Sequence, residues 1–260
     1  MKTANEFINS SDKYLLYIDI LGFRQLVETG QDAKIREILK QVAKIHAHND
    51  NYYNVIMFSD TILIYNNFTC TSMEMVRSAV SWLCEFSADL FKRLISIDVH
   101  FRAVLKKGPF NHEIISGKEF FFGKALIDCY DVEKIIPATG LFIESKIAGA
   151  NSFYNMTRFN DELAFVYLTG AFENLCQFGP EPLTISETLF ETVIPDPSRL
   201  KIEVAYLQSI YTLMHQHPSE RVREKHLNTW SLYLRKYGET LQTLADQMFN
   251  VNSLAPWYQW

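Results

Sequence analysis

The segment Tyr14-Leu-Leu-Tyr-Ile-Asp-Ile-Leu-Gly-Phe23 decides how this chain is read. Tyr14 to Ile18 is an unbroken apolar run, short and closed by Asp19, which marks a buried central strand. Gly22 then punctuates the entry to a helix that runs to about Thr29. A carboxylate at the end of a buried strand, followed closely by a glycine, sets the frame for everything around it.

Outward from this segment, Asp32 is an N-cap candidate, and Ile35, Ile38, Leu39, Val42 and Ile45 recur at helical spacing up to His46. Val55 to Phe58 and Thr61 to Tyr65 are short β-type runs. Ser59 and Asp60 between them suit a tight turn, giving a hairpin with a carboxylate at its tip. Ser72 to Leu94 has helical period, and Ile97 to Leu105 becomes strand-like until Gly108 and Pro109 break it. Phe110 to Ser116 and Glu119 to Phe122 are extended, Gly123 stops the second, and Ala125 to Ile135 is helical. The order strand, helix, hairpin, helix, strand predicts an α+β fold with a ferredoxin-like βαββαβ core.

Beyond Pro137 the β pieces Leu141 to Glu144 and Leu163 to Leu168 are short, whereas Lys201 to His215 and Ser219 to Phe249 are amphipathic helices. Pro195-Asp-Pro197 cannot continue either flanking element. The expected division is a core domain over residues 1–195 and a C-terminal helical appendage over 196–260.

Composition narrows the function. The 260 residues carry Lys+Arg 25 against Asp+Glu 30, a net charge of −5, which gives no wide footprint for nucleic acid. A small anion needs only a few local cations and stays open. Cys70, Cys84, Cys129 and Cys176 have no CxxC spacing, as suits a reducing, cytoplasmic setting. Met1 to Lys13 is too polar for an export signal, and Asp19, Gly22 and Arg24 interrupt the apolar stretch Lys13 to Val27, so no integral membrane protein is expected. Phosphate-binding Walker, GxGxxG and GxSxG motifs are missing, and no His pair has metalloprotease spacing.

In a βαββαβ sheet the ends of the first strand and of the hairpin meet at one edge, which brings Asp19 and Asp60 together. Two such carboxylates repel unless a divalent cation lies between them, and magnesium or manganese takes oxygen ligands together with substrate phosphates. That is the donor set of two-metal phosphoryl transfer. Ile20-Leu-Gly-Phe23 would offer backbone N–H groups to a triphosphate, with Gly22 permitting close approach. Taken singly, Asp19 also suits a helix cap, Asp60 a plain turn, Arg102 a solvated strand position, and Phe120 to Phe122 a core or dimer contact.

Four stretches in order, Tyr17-Ile-Asp-Ile-Leu-Gly-Phe23, Phe58-Ser-Asp-Thr-Ile62, Phe101-Arg-Ala-Val-Leu105 and Phe122-Gly-Lys-Ala125 with Cys129-Tyr130 and Glu133 after it, resemble class III nucleotidyl cyclases. Within that family the chain resembles the Pycsar pyrimidine cyclases of bacterial antiphage defence, over roughly Tyr14 to Glu144. The resemblance implies catalytic roles for Asp19, Asp60 and Arg102. Asp19, Asp60 and the backbone of Ile20 would hold two divalent ions, Mn2+ or Mg2+, and Arg102 would bind the triphosphate. It also implies a homodimer with two interface sites, each joining the acids of one chain to the helix after Gly123 of the other. The reaction would be attack of the ribose 3′-oxygen on the α-phosphorus, giving a 3′,5′-cyclic monophosphate and pyrophosphate, the product signalling to a separate cyclic-pyrimidine effector.

Where purine cyclases of that family read the base with polar residues, this chain has Ile56 and Phe120. An apolar wall favours a pyrimidine, UTP ahead of CTP with both open, and Tyr53 is the expected gatekeeper. The chain departs from the pattern at Ile127 and Asp131, which stand where an asparagine and an arginine belong. Lys106, Lys107 or Lys124 would then supply a cation. The alternative is a catalytically silent, cyclase-like module that senses a nucleotide.

Overall fold

A computed structural model of the chain describes residues 12–176, 194, 196–253 and 258–260. The described residues fall into two compact units, one over 12–94, 99–136 and 140–166, the other over 95–98, 137–139 and the described part of 167–260. The units therefore divide at Val166 and Tyr167. Pro195, where the sequence suggested a boundary, lies outside the described residues.

The first unit is built on a seven-stranded sheet in the order β2-β3-β1-β4-β7-β9-β8. Its centre is β1 (Asp12–Ile20), antiparallel on one side to β3 (Thr61–Asn66) and on the other to β4 (Phe101–Pro109). The hairpin partner of β3 is β2 (Tyr53–Phe58). With α1 (Phe23–Glu28) and α2 (Asp32–Val42) after β1, and α3 (Met73–Ile95) before β4, this is the ferredoxin-like βαββαβ arrangement expected from the sequence. The apolar run works as anticipated: Leu15, Leu16 and Ile18 are wholly buried because β1 has neighbours on both edges and helices on both faces.

The register sorts the faces. Tyr14, Leu16 and Ile18 share one face with Tyr53, and the Tyr53 ring meets Phe86 of α3 edge-on at 5.0 Å, so α3 covers that face. Leu15, Tyr17 and Asp19 share the other with Val104 and Arg102, and it is covered by α4 (Lys124–Ile135), whose Cys129 thiol reaches the carbonyls of Leu15 and Val104. Beyond β4, β7 (Gly140–Glu144) is parallel to it, α5 (Ser145–Ala148) follows, and β8 (Met156–Arg158) and β9 (Leu163–Val166) complete the sheet.

Four boundaries correct the sequence reading. Asp32 is the first residue of α2 and Gln31 is its cap, so Asp32 complements the helix dipole rather than capping it. The helix ends at Val42, because extended backbone at Ile45 sends that side chain into the core. Strand β4 starts at Phe101, later than expected, since Asp98 takes a left-handed conformation (φ 53) and the Val99 N–H caps the Leu94 carbonyl. It also runs through Gly108 and Pro109: β7 pairs only with Arg102 to Leu105, so Pro109 sits where β4 has become an edge and no ladder donor is missed.

A separate two-stranded ribbon, β5 (Asn111–Ile115) and β6 (Lys118–Phe122), ends at Gly123. Gly123 has φ +147, and a Cβ there would lie 2.3 Å from the Pro109 carbonyl oxygen and 2.8 Å from the Phe110 Cα. Because both obstacles are backbone, Gly123→Ala is expected to lower the unfolding free energy by about 2–3 kcal/mol, read as a shift in urea midpoint.

The second unit is helical among its described residues, with α6 (Gly170–Cys176), α7 (Pro197–Gln216) and α8 (Glu220–Asp246). Asp196 caps α7 by accepting from the Arg199 N–H at 3.0 Å, with Pro197 in the first turn. Glu203 is buried and accepts from the Phe172 N–H and from Arg199 Nε. Tyr167 packs edge-on against Tyr233 and Tyr237 of α8. Gly238 interrupts α8 with non-helical backbone.

Candidate functional site

The two acids meet. The Ile20 N–H donates to the Asp60 carbonyl at 3.0 Å, and Asp19 is the direct cross-strand partner of Thr61. Directly opposed residues have Cβ atoms about 5 Å apart, so the chain at 19 and at 60 forms one rim of the sheet. Ser59 supplies the left-handed turn conformation (φ 56), which leaves Asp60 with no turn-making duty of its own. Asp19 and Asp60 are both half-buried.

Tyr17 reports the same convergence. Its hydroxyl lies 3.4 Å from Thr61 Oγ1. Burial raises the phenol pKa, the Thr61 contact opposes this, and the nearby carboxylates of Glu133, Asp19 and Asp60 push it further up. The Tyr17 phenol therefore holds its proton more firmly than a free tyrosine.

Gly22 caps α1 in the left-handed conformation (φ 79) with open space where a side chain would project. The loop offers fewer amides than the sequence suggested, because the Ile20 N–H is committed to Asp60 and the Leu21 N–H to the His100 carbonyl at 3.0 Å. Approach to a ligand is left to Gly22 and the backbone of Phe23, whose ring is buried.

His100, buried just ahead of β4, anchors this loop through its carbonyl. Desolvation lowers its imidazole pKa from 6.5 to about 4. The unfolded chain therefore takes up that proton first as pH falls: the contribution to stability is complete above pH 6.5 and is lost on the way down to about 4. A loss of about 3 kcal/mol across that window is expected, and His100→Leu should flatten the acid limb of a stability-versus-pH profile.

The other candidates divide. Ile56 lies on the face of Tyr17, opposite Leu63, and so borders the rim. Arg102 is opposite Asp19, but it is only 5% exposed and its guanidinium is engaged by Glu133, also 5% exposed, and by the Ile136 carbonyl at 2.6 Å. The phosphate-binding role expected of Arg102 is thus corrected to a buried ion pair joining β4 to α4. Nothing local in the sequence announces it, since Glu133 comes 31 residues later.

Tyr53 is at the opposite end of the hairpin from Asp60. Five residue steps along β2 separate it from Phe58, about 17 Å, which corrects the gatekeeper assignment. Lys124 opens α4 at the far end of the sheet, near Gly108, and pairs with Asp128 at 2.7 Å, so it cannot serve its own chain's rim. Lys107 faces Asp12 at 3.4 Å. Phe120 is exposed on the ribbon, while Ile127 and Asp131 lie on the exposed face of α4.

Asp19 and Asp60 are hard oxygen donors, and the Ile20 backbone lies between them, which fits magnesium or manganese completed by phosphate oxygens. Among the described residues no group of three or more His, Cys, Asp or Glu side chains forms a self-sufficient metal cage. Nor is any described helix long and apolar enough to cross a membrane.

No protein-family model matches the chain, and no curated protein matches it. Among solved structures it is similar to the guanylyl cyclase Cya2, at 12% identity over 61% of this chain and 92% of that one, TM-score 0.43. It is also similar to the adenylyl cyclase CyaB from P. aeruginosa (10% identity, 60% of this chain and 93% of that one, TM-score 0.40). A third is the catalytic core of a rhodopsin-guanylyl cyclase with converted specificity in complex with ATPαS (12%, 60% and 95%, TM-score 0.46). At these scores and identities neither the reaction nor the substrate of those proteins carries over to this chain.

Proposed function

We propose that the chain is a nucleotide cyclase of pyrimidine specificity, converting UTP or CTP to the 3′,5′-cyclic monophosphate and pyrophosphate. The observation that supports this reading is the Ile20–Asp60 backbone bond, which brings the chain at Asp19 and at Asp60 to one sheet rim beside an open glycine turn. Asp19, Asp60 and the Ile20 backbone would hold two divalent ions, which when bound neutralise phosphate charge and favour loss of the 3′-hydroxyl proton. The chain itself does the positioning. Gly22 and the Phe23 backbone border the triphosphate, and the rigid β1–β3 pair holds the two acids on one side of the reacting α-phosphorus. Ile56 gives the base an apolar wall that makes no purine hydrogen bonds.

A homodimer completes the site in this reading. Lys124 lies at the far end of the sheet from its own rim, and Ile127 and Asp131 are on the exposed face of α4, where a second copy would meet them. The ribbon supports pairing: Ile114 is 70% exposed and Phe122 50%, with Ile115 and Phe120 exposed beside them. A two-stranded ribbon is marginal alone and gains from being covered. The cyclic product would signal to a separate effector in antiphage defence, as the sequence resemblance implies, from a cytoplasmic site.

A silent sensor is the second reading, favoured by Ile127 and Asp131 in place of the polar pair that would steady the transition state. Incubation with each of the four nucleoside triphosphates and manganese separates the two. A cyclic pyrimidine product with stoichiometric pyrophosphate is expected, whereas saturable binding with no product from any nucleotide would establish the sensor.

A further inference from the structure

At the end of the β2–β3 hairpin remote from Asp60, the first unit contains a cavity of about 410 Å³. That is within the size range of small-molecule sites. Its walls are aromatic: Tyr52, Tyr53, Phe68 and Trp82 line it, with Met75 beside them. Phe68 receives the rings of Tyr52 and Tyr53 edge-on at 6.1 and 5.9 Å, which fixes the cage.

Besides Ser78, two polar features break this lining. Asp50 is the one charged residue of the wall. Its Oδ1 accepts from the Tyr52 N–H at 2.7 Å, and among the described residues no cation pairs with the carboxylate. The second is the Tyr53 hydroxyl: the residue is 5% exposed, and Oη is buried without a hydrogen-bond partner. Burial, and after it the charge of Asp50, raise the Tyr53 phenol pKa, and Oη itself is sealed from the cavity.

An uncompensated carboxylate and several π faces around one cavity have complementary chemistry in a single ligand class. We infer that this cavity binds a small primary ammonium on an apolar, aryl or alkyl, body. The ammonium would donate to Asp50, its charge would lie against ring faces, and the apolar body would fill the space toward Met75 and Trp82. The site is independent of the reaction proposed for the Asp19–Asp60 rim.

Calorimetric titration of the full chain with 2-phenylethylammonium chloride tests this, with 2-phenylethanol as the neutral isostere. Saturable one-to-one binding is expected, about tenfold weaker for the alcohol and about tenfold weaker in Asp50→Asn, which keeps the Oδ1 acceptor for Tyr52. Tyr53→Phe should leave the affinity for the amine within about twofold and not lower the melting temperature without ligand, because the hydroxyl it removes is sealed from the cavity and has no partner to lose. Absence of saturable binding, equal affinity for amine and alcohol, or an affinity unchanged by Asp50→Asn would each overturn the assignment.

Discussion

Asp60→Ala is expected to reduce metal-dependent cyclase turnover by about 10²–10³-fold or more, the scale of losing one fixed electrostatic contact to a reacting phosphate. The fold should survive. The turn depends on Ser59, which holds the left-handed conformation, and on the Asp60 carbonyl, which alanine retains and to which Ile20 still donates. Stability within about 0.5 kcal/mol of the parent is therefore anticipated, in line with substitutions that remove no packing. Product formation by chromatography and unfolding by circular dichroism on the same preparation check both halves. An unreduced rate would remove Asp60 from the metal site, and with it the proposed chemistry.

Glu133→Ala carries the largest expected effect on stability, a loss of about 3–5 kcal/mol, because it strands a buried guanidinium. Arg102 has Glu133 and the Ile136 carbonyl as partners, and neither member of the pair is accessible to water that might replace the other. The double replacement Arg102→Met with Glu133→Leu removes both charges and should recover most of that loss, which a full double-mutant cycle in urea would measure. If Glu133→Ala alone proves nearly neutral, Arg102 is not held by this pair, and a role at the phosphates becomes open again.

The contrast between these residues shows what a sequence of this kind makes legible. The shared rim of Asp19 and Asp60 was legible because both residues lie at the ends of elements whose type and order are set by short-range signals: an apolar run, a two-residue turn and a punctuating glycine. Once the βαββαβ order is recognised, topology brings their ends together. Arg102 was misassigned for the opposite reason. Its strand position was right, but the partner that determines its direction lies on α4, and the pairing across 31 residues leaves no local trace. Tyr53 failed on distance, since its nearness to Asp60 in number becomes separation along an extended strand. The short elements β8 and α6 went unseen because three to seven residues give too little periodicity to read.

The amide of Ile20 ties β1 to the hairpin tip, and that bond has a practical use. Its proton can exchange with solvent only when the Asp60 carbonyl lets go, so deuterium uptake at this one position times the parting of the two acids. A ligand that clamps the pair would slow uptake there while leaving remote amides unchanged, giving the molecule an internal gauge of occupancy that needs no product to be formed.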